Sequence, residues 1–257
     1  MKKVNLLFFA ALAVILLAGC KGGMSKNQHF YKVGDYYPDP AAVYNNGVLQ
    51  SGTAAIGIVY WLNPDAPGYD AATKSGTSGK IVSLDEPSNS LSWGARGVAT
   101  GATSYFDGLA NMAVVKKKDN TFSAYPAFAW ADQKNGAGGT TNYASGAKEI
   151  WYLPAVAELQ YLLCAVAGKP CETWGFPGSD NDHDYPSFNP RWGVTIDLSG
   201  FNNKLISAGG VPFSASYYWI SAEDGITYAW QASFNNGNTN NGASKTFNSK
   251  ARCLMQF

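Results

Sequence analysis

The chain has 257 residues, 14% of them charged and 14% aromatic, with 28 Gly, 12 Pro, two His and a formal net charge of +1. That balance excludes a disordered chain, a coiled coil and a basic nucleic-acid binder. With 46% apolar residues, the 36 aromatics among them, the chain can close a sizeable core, while so much Gly, Pro and Asn disfavours a long helical bundle.

The N-terminus reads as a targeting segment. Lys2 and Lys3 precede an apolar run from Leu6 to Leu17, too short to span a membrane and matching a secretory signal. The run ends Leu17-Ala18-Gly19-Cys20, which resembles the lipobox of bacterial lipoproteins. The resemblance implies a signal peptide over residues 1–19, cleavage before Cys20 and lipidation of Cys20, whose acyl chains anchor the protein in a membrane at about 0.8 kcal/mol per buried CH₂. Without Lys2 and Lys3, 17 basic residues face 18 acidic ones, so the mature net charge is −1 and no nucleic-acid partner is expected. Lys21 in place of Asp points to the outer membrane. Whether the domain faces the surface or the periplasm stays open, because residues 21–25 lack the acidic residues that help such proteins reach the surface. Residues 20–29 form a polar tether and residues 30–257 a single domain.

In that domain a hairpin is predicted first. An apolar, β-rich run over residues 56–62 is closed by Asn63-Pro64-Asp65, and a Gly/Ser/Thr loop over residues 73–79, free to vary, leads to a strand over 80–84. Asp107 caps a helix through Val115, with Lys116, Lys117 and Lys118 at the negative end of its dipole. Pro126 begins a second helix that stops at Gly136. The clearest helix runs over 154–167: Val156, Leu159, Leu163 and Val166 form one apolar stripe, Pro154 suits the first turn, and Gly168 ends it. A short fourth helix is expected over 202–207, and strands over 217–221, 228–234 and 251–257. Strand-rich ends around a helical middle make an α+β domain whose first and last strands share a sheet. On the 228–234 strand, Trp230, Ala232 and Phe234 face inward and Ala229, Gln231 and Ser233 outward, beside an Asn/Gly loop over 235–242. Six of the 20 Asn fall between Asn235 and Asn248, side chains that donate and accept hydrogen bonds without charge.

Three cysteines remain after Cys20, and an odd number forbids complete pairing within the chain. Cys164 and Cys171 are close enough in sequence for a disulfide, two buried thiols being the alternative. Cys253, in an apolar run, is expected to be a buried thiol.

Trp151-Tyr152-Leu153-Pro154-Ala155-Val156-Ala157-Glu158-Leu159 resembles the Trp-Arg-Leu-Pro-x-x-x-Glu-Leu signature of a bacterial domain family found in surface lipoproteins. That family is related to the formylglycine-generating enzyme and built on the C-type lectin-like fold. Val33-Gly34-Asp35, Gly57-Ile58-Val59, Tyr218-Trp219-Ile220-Ser221, Ala229-Trp230, Ser244-Lys245-Thr246 and Ala251-Arg252-Cys253 follow in family order, so the resemblance covers residues 30–257. Tyr152 replaces the usual Arg, Ile220 the first Ser of Tyr-Trp-Ser-Ser, and Leu254-Met255-Gln256-Phe257 stands where a second Arg is common. The resemblance implies small antiparallel sheets, a few short helices and long loops, with Trp151, Leu153, Trp219 and Trp230 in the core. Glu158 on the helix and Arg252 on the last strand are expected to pair, because either charge buried alone is costly to desolvate.

Enzyme signatures are poor. His-Glu-x-x-His and Gly-x-Ser-x-Gly do not occur, and Gly76-Thr77-Ser78-Gly79-Lys80 lacks the first Gly and the final Ser/Thr of a phosphate loop. The formylglycine-generating relatives use a redox cysteine pair, whereas Cys253 has no partner nearby in sequence. No catalysis and no cofactor is expected. The Glu-Pro-Asn or Gln-Pro-Asp tripeptide of calcium-dependent lectins is missing. Asp180, Asp182 and Asp184 offer hard oxygen ligands to a structural Ca²⁺, with a solvated acidic turn as the alternative.

The remaining signal is the C-terminal surface. Several members of the lectin-like group are targets of diversity-generating retroelements, which mutate template adenines, and every residue of Asp224-Gly225-Ile226-Thr227-Tyr228 is reachable from an AAC codon. An ordinary Asn/Gly-rich loop is the other reading. The expected function is a lipid-anchored ligand-binding module, an adhesin or receptor. Its expected contacts to a protein or glycan are Asp224, Ile226, Tyr228, Gln231, Ser233, Asn235, Asn236, Asn238, Asn240 and Asn241. A structural or assembly subunit of a surface appendage and a degenerate enzyme of the formylglycine-generating type are the alternatives.

Overall fold

The structure, a computed structural model, describes residues 29–38, 44–45, 48–49, 54–136, 140–169 and 195–257. Cys20, Cys171 and the Asp180, Asp182 and Asp184 group lie outside them. The chain forms β1 (Tyr36–Tyr37), a hairpin of β2 (Tyr44–Asn45) and β3 (Val48–Leu49), then β4 (Gly57–Leu62), β5 (Gly79–Ser83) and β6 (Leu91–Ser92). Helices α1 (Gly108–Lys118) and α2 (Pro126–Gln133) come next, followed by β7 (Trp151–Tyr152), α3 (Val156–Val166) and α4 (Ser199–Ser207). The rest is strand: β8 (Tyr217–Asp224), β9 (Tyr228–Ser233), β10 (Thr239–Ser244), β11 (Asn248–Ser249) and β12 (Leu254–Gln256).

These elements make an α+β domain. A five-stranded antiparallel sheet has the order β1-β4-β5-β12-β7, so the last strand is inserted beside the first hairpin, as expected. A three-stranded sheet has the order β10-β9-β8. Helix α3 packs against both β4 and β8 and so joins the two sheets. Strand β4 is buried at nearly every position because the sheet is covered on both faces, which explains its continuous rather than alternating apolar run.

The β4–β5 connection is not free to vary. Its Gly76 exchanges backbone hydrogen bonds with Tyr31 at 2.8 and 2.9 Å, and Ser78 Oγ donates to the Phe257 carbonyl at 3.1 Å. Both ends of the domain use this loop, which corrects the reading of it as loose.

The helices follow their caps. Asp107 Oδ1 accepts the Ala110 N–H at 3.0 Å, and α1 continues to Lys118. A Cβ on Gly108, its first residue, would stand 2.3 Å from the Leu153 carbonyl, so that close approach requires glycine. Helix α3 starts two residues later than Pro154. The Pro154 carbonyl accepts the Ser221 N–H at 2.7 Å, and Glu158 instead turns back to accept the Ala155 N–H at 2.8 Å, the N3 half of a capping box. Val156, Leu159, Leu163 and Val166 are all buried. Strands β1, β2, β3, β6, β7 and β11 are two residues each and too short to show a period.

Trp151, Leu153, Trp219 and Trp230 are core residues, as expected. Cys253 is a buried free thiol, and Cys164 is disulfide-bonded.

The pairing of Glu158 with Arg252 is not made. Glu158, 4% exposed, takes Lys80 as its ion-pair partner, the Tyr152 hydroxyl at 2.8 Å and the Gly108 N–H at 3.1 Å. Tyr152 thus supplies a neutral donor while Lys80 supplies the charge. Arg252 pairs instead with Glu86 at 2.6 Å, donates to the Ser83 and Val211 carbonyls at 3.0 and 2.8 Å, and lies over the Phe213 ring. Each buried charge is paired, as its desolvation demands, but each finds a different partner.

Candidate binding surface

The proposed contact residues all lie on β8, β9, β10 and their turns. In β9, Tyr228 pairs with Asp224 on one side and Ser244 on the other, and Ala232 with Tyr218 and Thr239. Both neighbouring strands bulge opposite Trp230: residues 220–222 of β8 and 241–242 of β10 fall outside the register. At about 3.3 Å per residue, the length of β9 puts its two flanking turns roughly 20 Å apart. The expected single surface is therefore two.

The first turn, Asp224-Gly225-Ile226-Thr227, is tied into the body of the domain. Gly225 adopts φ +68°, a conformation that favours glycine. The Ile226 carbonyl accepts the Gly97 N–H at 2.7 Å and the Thr227 carbonyl the Lys245 N–H at 3.0 Å. Immediately before the turn, the buried Glu223 carboxylate accepts the Thr100 hydroxyl at 2.9 Å, the Gly101 N–H at 2.6 Å and Lys245 Nζ at 2.6 Å. Lys245 is itself fully buried, donates to the Val98 carbonyl at 3.0 Å and lies 4.7 Å from the Trp93 ring centre. Burial pushes the Glu223 carboxyl up, but the hydrogen bonds from Lys245, Thr100 and Gly101 outweigh it and hold the group below the usual carboxylate range. On this frame Ile226 is 54% and Tyr228 43% exposed, with Asp224 half-buried beside them.

The second turn, residues 234–238, is anchored by its backbone, since Phe234 N–H donates to the Ser216 carbonyl and the Asn235 carbonyl accepts the Ile196 N–H, both at 2.9 Å, while its side chains bond locally. Asn236 Oδ1 accepts the Asn238 N–H at 3.1 Å, Ser233 Oγ the Asn235 N–H at 3.3 Å, and Asn240 Oδ1 the Gly242 N–H at 2.6 Å. Such local bonds are what make Asn frequent in turns. The Asn-rich loop is also shorter than expected, because Asn240 and Asn241 belong to β10. Asn235 and Asn238 are exposed.

Three residues expected outward are not, Ala229 among them being fully buried. Ser233 is 3% exposed, because β9 is a central strand and its outer face is covered, and Gln231 is half-buried with its Oε1 accepting the Ser249 hydroxyl at 3.1 Å. Val98, 43% exposed and joined to the first turn through Lys245, was not legible as a surface residue. The buried Glu223–Lys245 pair was missed as well, although a lysine inside the Ser244-Lys245-Thr246 framework motif was a signal for it.

Among the described residues, no group of three or more His, Cys, Asp or Glu side chains is placed to hold a metal ion, and no helix is long and apolar enough to cross a membrane. Burial pushes the Cys253 thiol up, away from the reactive thiolate.

No protein-family model and no curated protein matches the chain. Among solved structures it is similar to a fimbrial protein from Bacteroides ovatus, with a TM-score of 0.50 and 19% identity, over 88% of this chain and 49% of that one. The chain thus spans about half the length of that protein, and at this identity the likeness is one of fold.

Proposed function

We propose that the protein is a lipid-anchored binding module of the bacterial cell envelope, with a C-type lectin-like fold, acting as an adhesin or receptor for a protein or glycan. The observation that carries this reading is the exposed Ile226 and Tyr228 pair on a turn pinned by the buried Glu223–Lys245 ion pair. Aromatic and aliphatic side chains on a pre-organised backbone bind with little ordering cost. The Asn turn, whose exposed side chains include no aromatic or aliphatic anchor, is a weaker candidate for the contact. An array of surface proteins and glycans, screened with the chain starting at residue 21, tests the assignment. Ile226→Ser with Tyr228→Ser abolishes binding, whereas replacing residues 235–238 leaves it; unchanged binding in the first variant refutes the site.

The likeness to a fimbrial protein of about twice the length favours a second reading, an assembly subunit of a surface appendage. Concentration-dependent self-association in sedimentation, lost on Tyr228→Ser, distinguishes it from the receptor. The degenerate-enzyme reading has no supporting observation, since a deeply buried, high-pKa Cys253 is a poor nucleophile.

A further inference from the structure

An open groove of about 670 Å³ lies beside the five-stranded sheet, well within the size range of small-ligand sites. Buried Trp151 and Met255 form its floor, Tyr37 one wall, and exposed Glu149, Asn142 and Thr140 its rim. Among the described residues the Glu149 carboxylate, the Asn142 amide, and the Thr140 and Tyr37 hydroxyls have no hydrogen-bond partner. Glu149 is held at φ +59°, and its N–H is bonded to the Gln256 carbonyl on β12 at 2.7 Å. A side chain in that region costs about 1–2 kcal/mol, a strain that characteristically survives at functional sites.

The chemistry of the lining excludes most occupants. The lining carries both signs, the Glu149 carboxylate and the Lys134 ammonium, so a charged ligand of either sign meets a like charge there. Lys134 is held there by Asp85 at 2.6 Å, with its ammonium 4.8 Å from the Trp151 ring centre. An apolar ligand would strip water from the rim groups and return no hydrogen bonds. An added peptide strand finds the β7 edge closed, because the Asn135 side chain takes both the N–H and the C=O of Trp151, at 2.7 and 2.8 Å. What remains is a neutral ligand rich in hydroxyls. Adjacent hydroxyls donate to the carboxylate, the amide and hydroxyl donate and accept in turn, and the Tyr37 ring, set by its packing at 4.6 Å on Phe257, offers a face for the C–H side of a sugar.

We propose that this groove is a binding site for a neutral oligosaccharide, separate from the turn at residues 224–228. The test uses the full chain purified in detergent. It is screened on an array of neutral, sialylated and sulfated glycans, and the strongest neutral oligosaccharide is then titrated calorimetrically. Glu149→Gln weakens binding about tenfold or more and Tyr37→Phe severalfold, as expected for hydrogen bonds lost to a bound hydroxyl. Phe247→Ser, at an exposed residue of neither surface, leaves the affinity unchanged. Glu149→Gly relieves the backbone strain, so it raises the denaturation midpoint while abolishing binding, a combination a merely structural residue does not show. The proposal is overturned if no neutral oligosaccharide binds, if only charged glycans bind, if Glu149→Gln leaves the affinity unchanged, or if Phe247→Ser weakens binding as much.

Discussion

The two turns that flank β9 differ in what their side chains do. The turn at residues 224–227 leans on a buried ion pair that reaches Thr100 and Gly101, more than a hundred residues away, whereas the turn at 234–238 is fixed by backbone bonds to Ser216 and Ile196 while its Asn side chains bond only to near neighbours. A buried charge pair is intolerant, because removing one partner strands the other in a medium that cannot solvate it. Local Asn bonds are tolerant, because each is worth little net and water replaces it at the surface. The first turn is thus a platform set on a buried charge pair, and the second carries replaceable Asn side chains on a backbone fixed at Phe234 and Asn235, which is why the binding role is assigned to the first.

That contrast is sharpest at Lys245. Lys245→Met leaves the Glu223 carboxylate buried and unpaired, and is expected to cost about 3–5 kcal/mol in urea denaturation. A cost below about 1 kcal/mol breaks the comparison. The double variant Glu223→Gln with Lys245→Met regains part of the loss.

Acid probes the same pair with a smaller effect. Because the Glu223 carboxyl is lowered in the folded state, the unfolded chain takes up the proton first as pH falls. Its stabilisation is complete above the unfolded carboxylate value of about 4.3 and is lost as pH drops through the lower folded value. Urea midpoints measured downward from about pH 6 fall more steeply in the wild type than in Glu223→Gln; parallel slopes remove the ion pair from the account.

Smaller again is Gly225→Ala. No atom lies within 4 Å of the added Cβ, so the cost is purely that of φ +68°, about 1–2 kcal/mol by chemical denaturation. A neutral outcome means that the turn relaxes and is not a fixed platform. The smallest effect is expected at the second turn, where Asn236→Ala costs about 0.5–1 kcal/mol and leaves ligand binding intact. A larger cost there makes the two turns alike.

Much of the fold was legible because its signals are local. Asp107 with Ala110 is a cap three residues long, the stripe on α3 needs only helical spacing, and the β4–β5 hairpin lies within thirty residues. The two-residue strands were not legible, since they exist only where a neighbour supplies the ladder. Nor was the start of α3 at Val156 rather than Pro154, because the competing bond from Ser221 comes from a distant strand.

The candidate site was legible in composition but not in arrangement. The exposed Ile226 and Tyr228 and the Asn cluster were recognisable as surface residues, and their separation by the length of β9 was not. Ser233 illustrates why: alternation along a strand assigns two faces, but only the presence of β8 and β10 on both edges, and what packs over them, decides whether the second face sees water.

By itself the sequence determined the α+β class, the principal helices and hairpin, and the requirement that Glu158 and Arg252 be neutralised, all of which follow from periodicity, capping and the cost of burying charge. Only the tertiary structure decided that Lys80 and Glu86 neutralise them, that Lys245 and Glu223 stiffen one turn, and that the contact residues form two surfaces. The physical reason is that a buried charge specifies that it must have a partner without specifying which. The choice falls to whatever opposite charge the chain brings within hydrogen-bonding distance across 78, 166 or 22 residues of sequence.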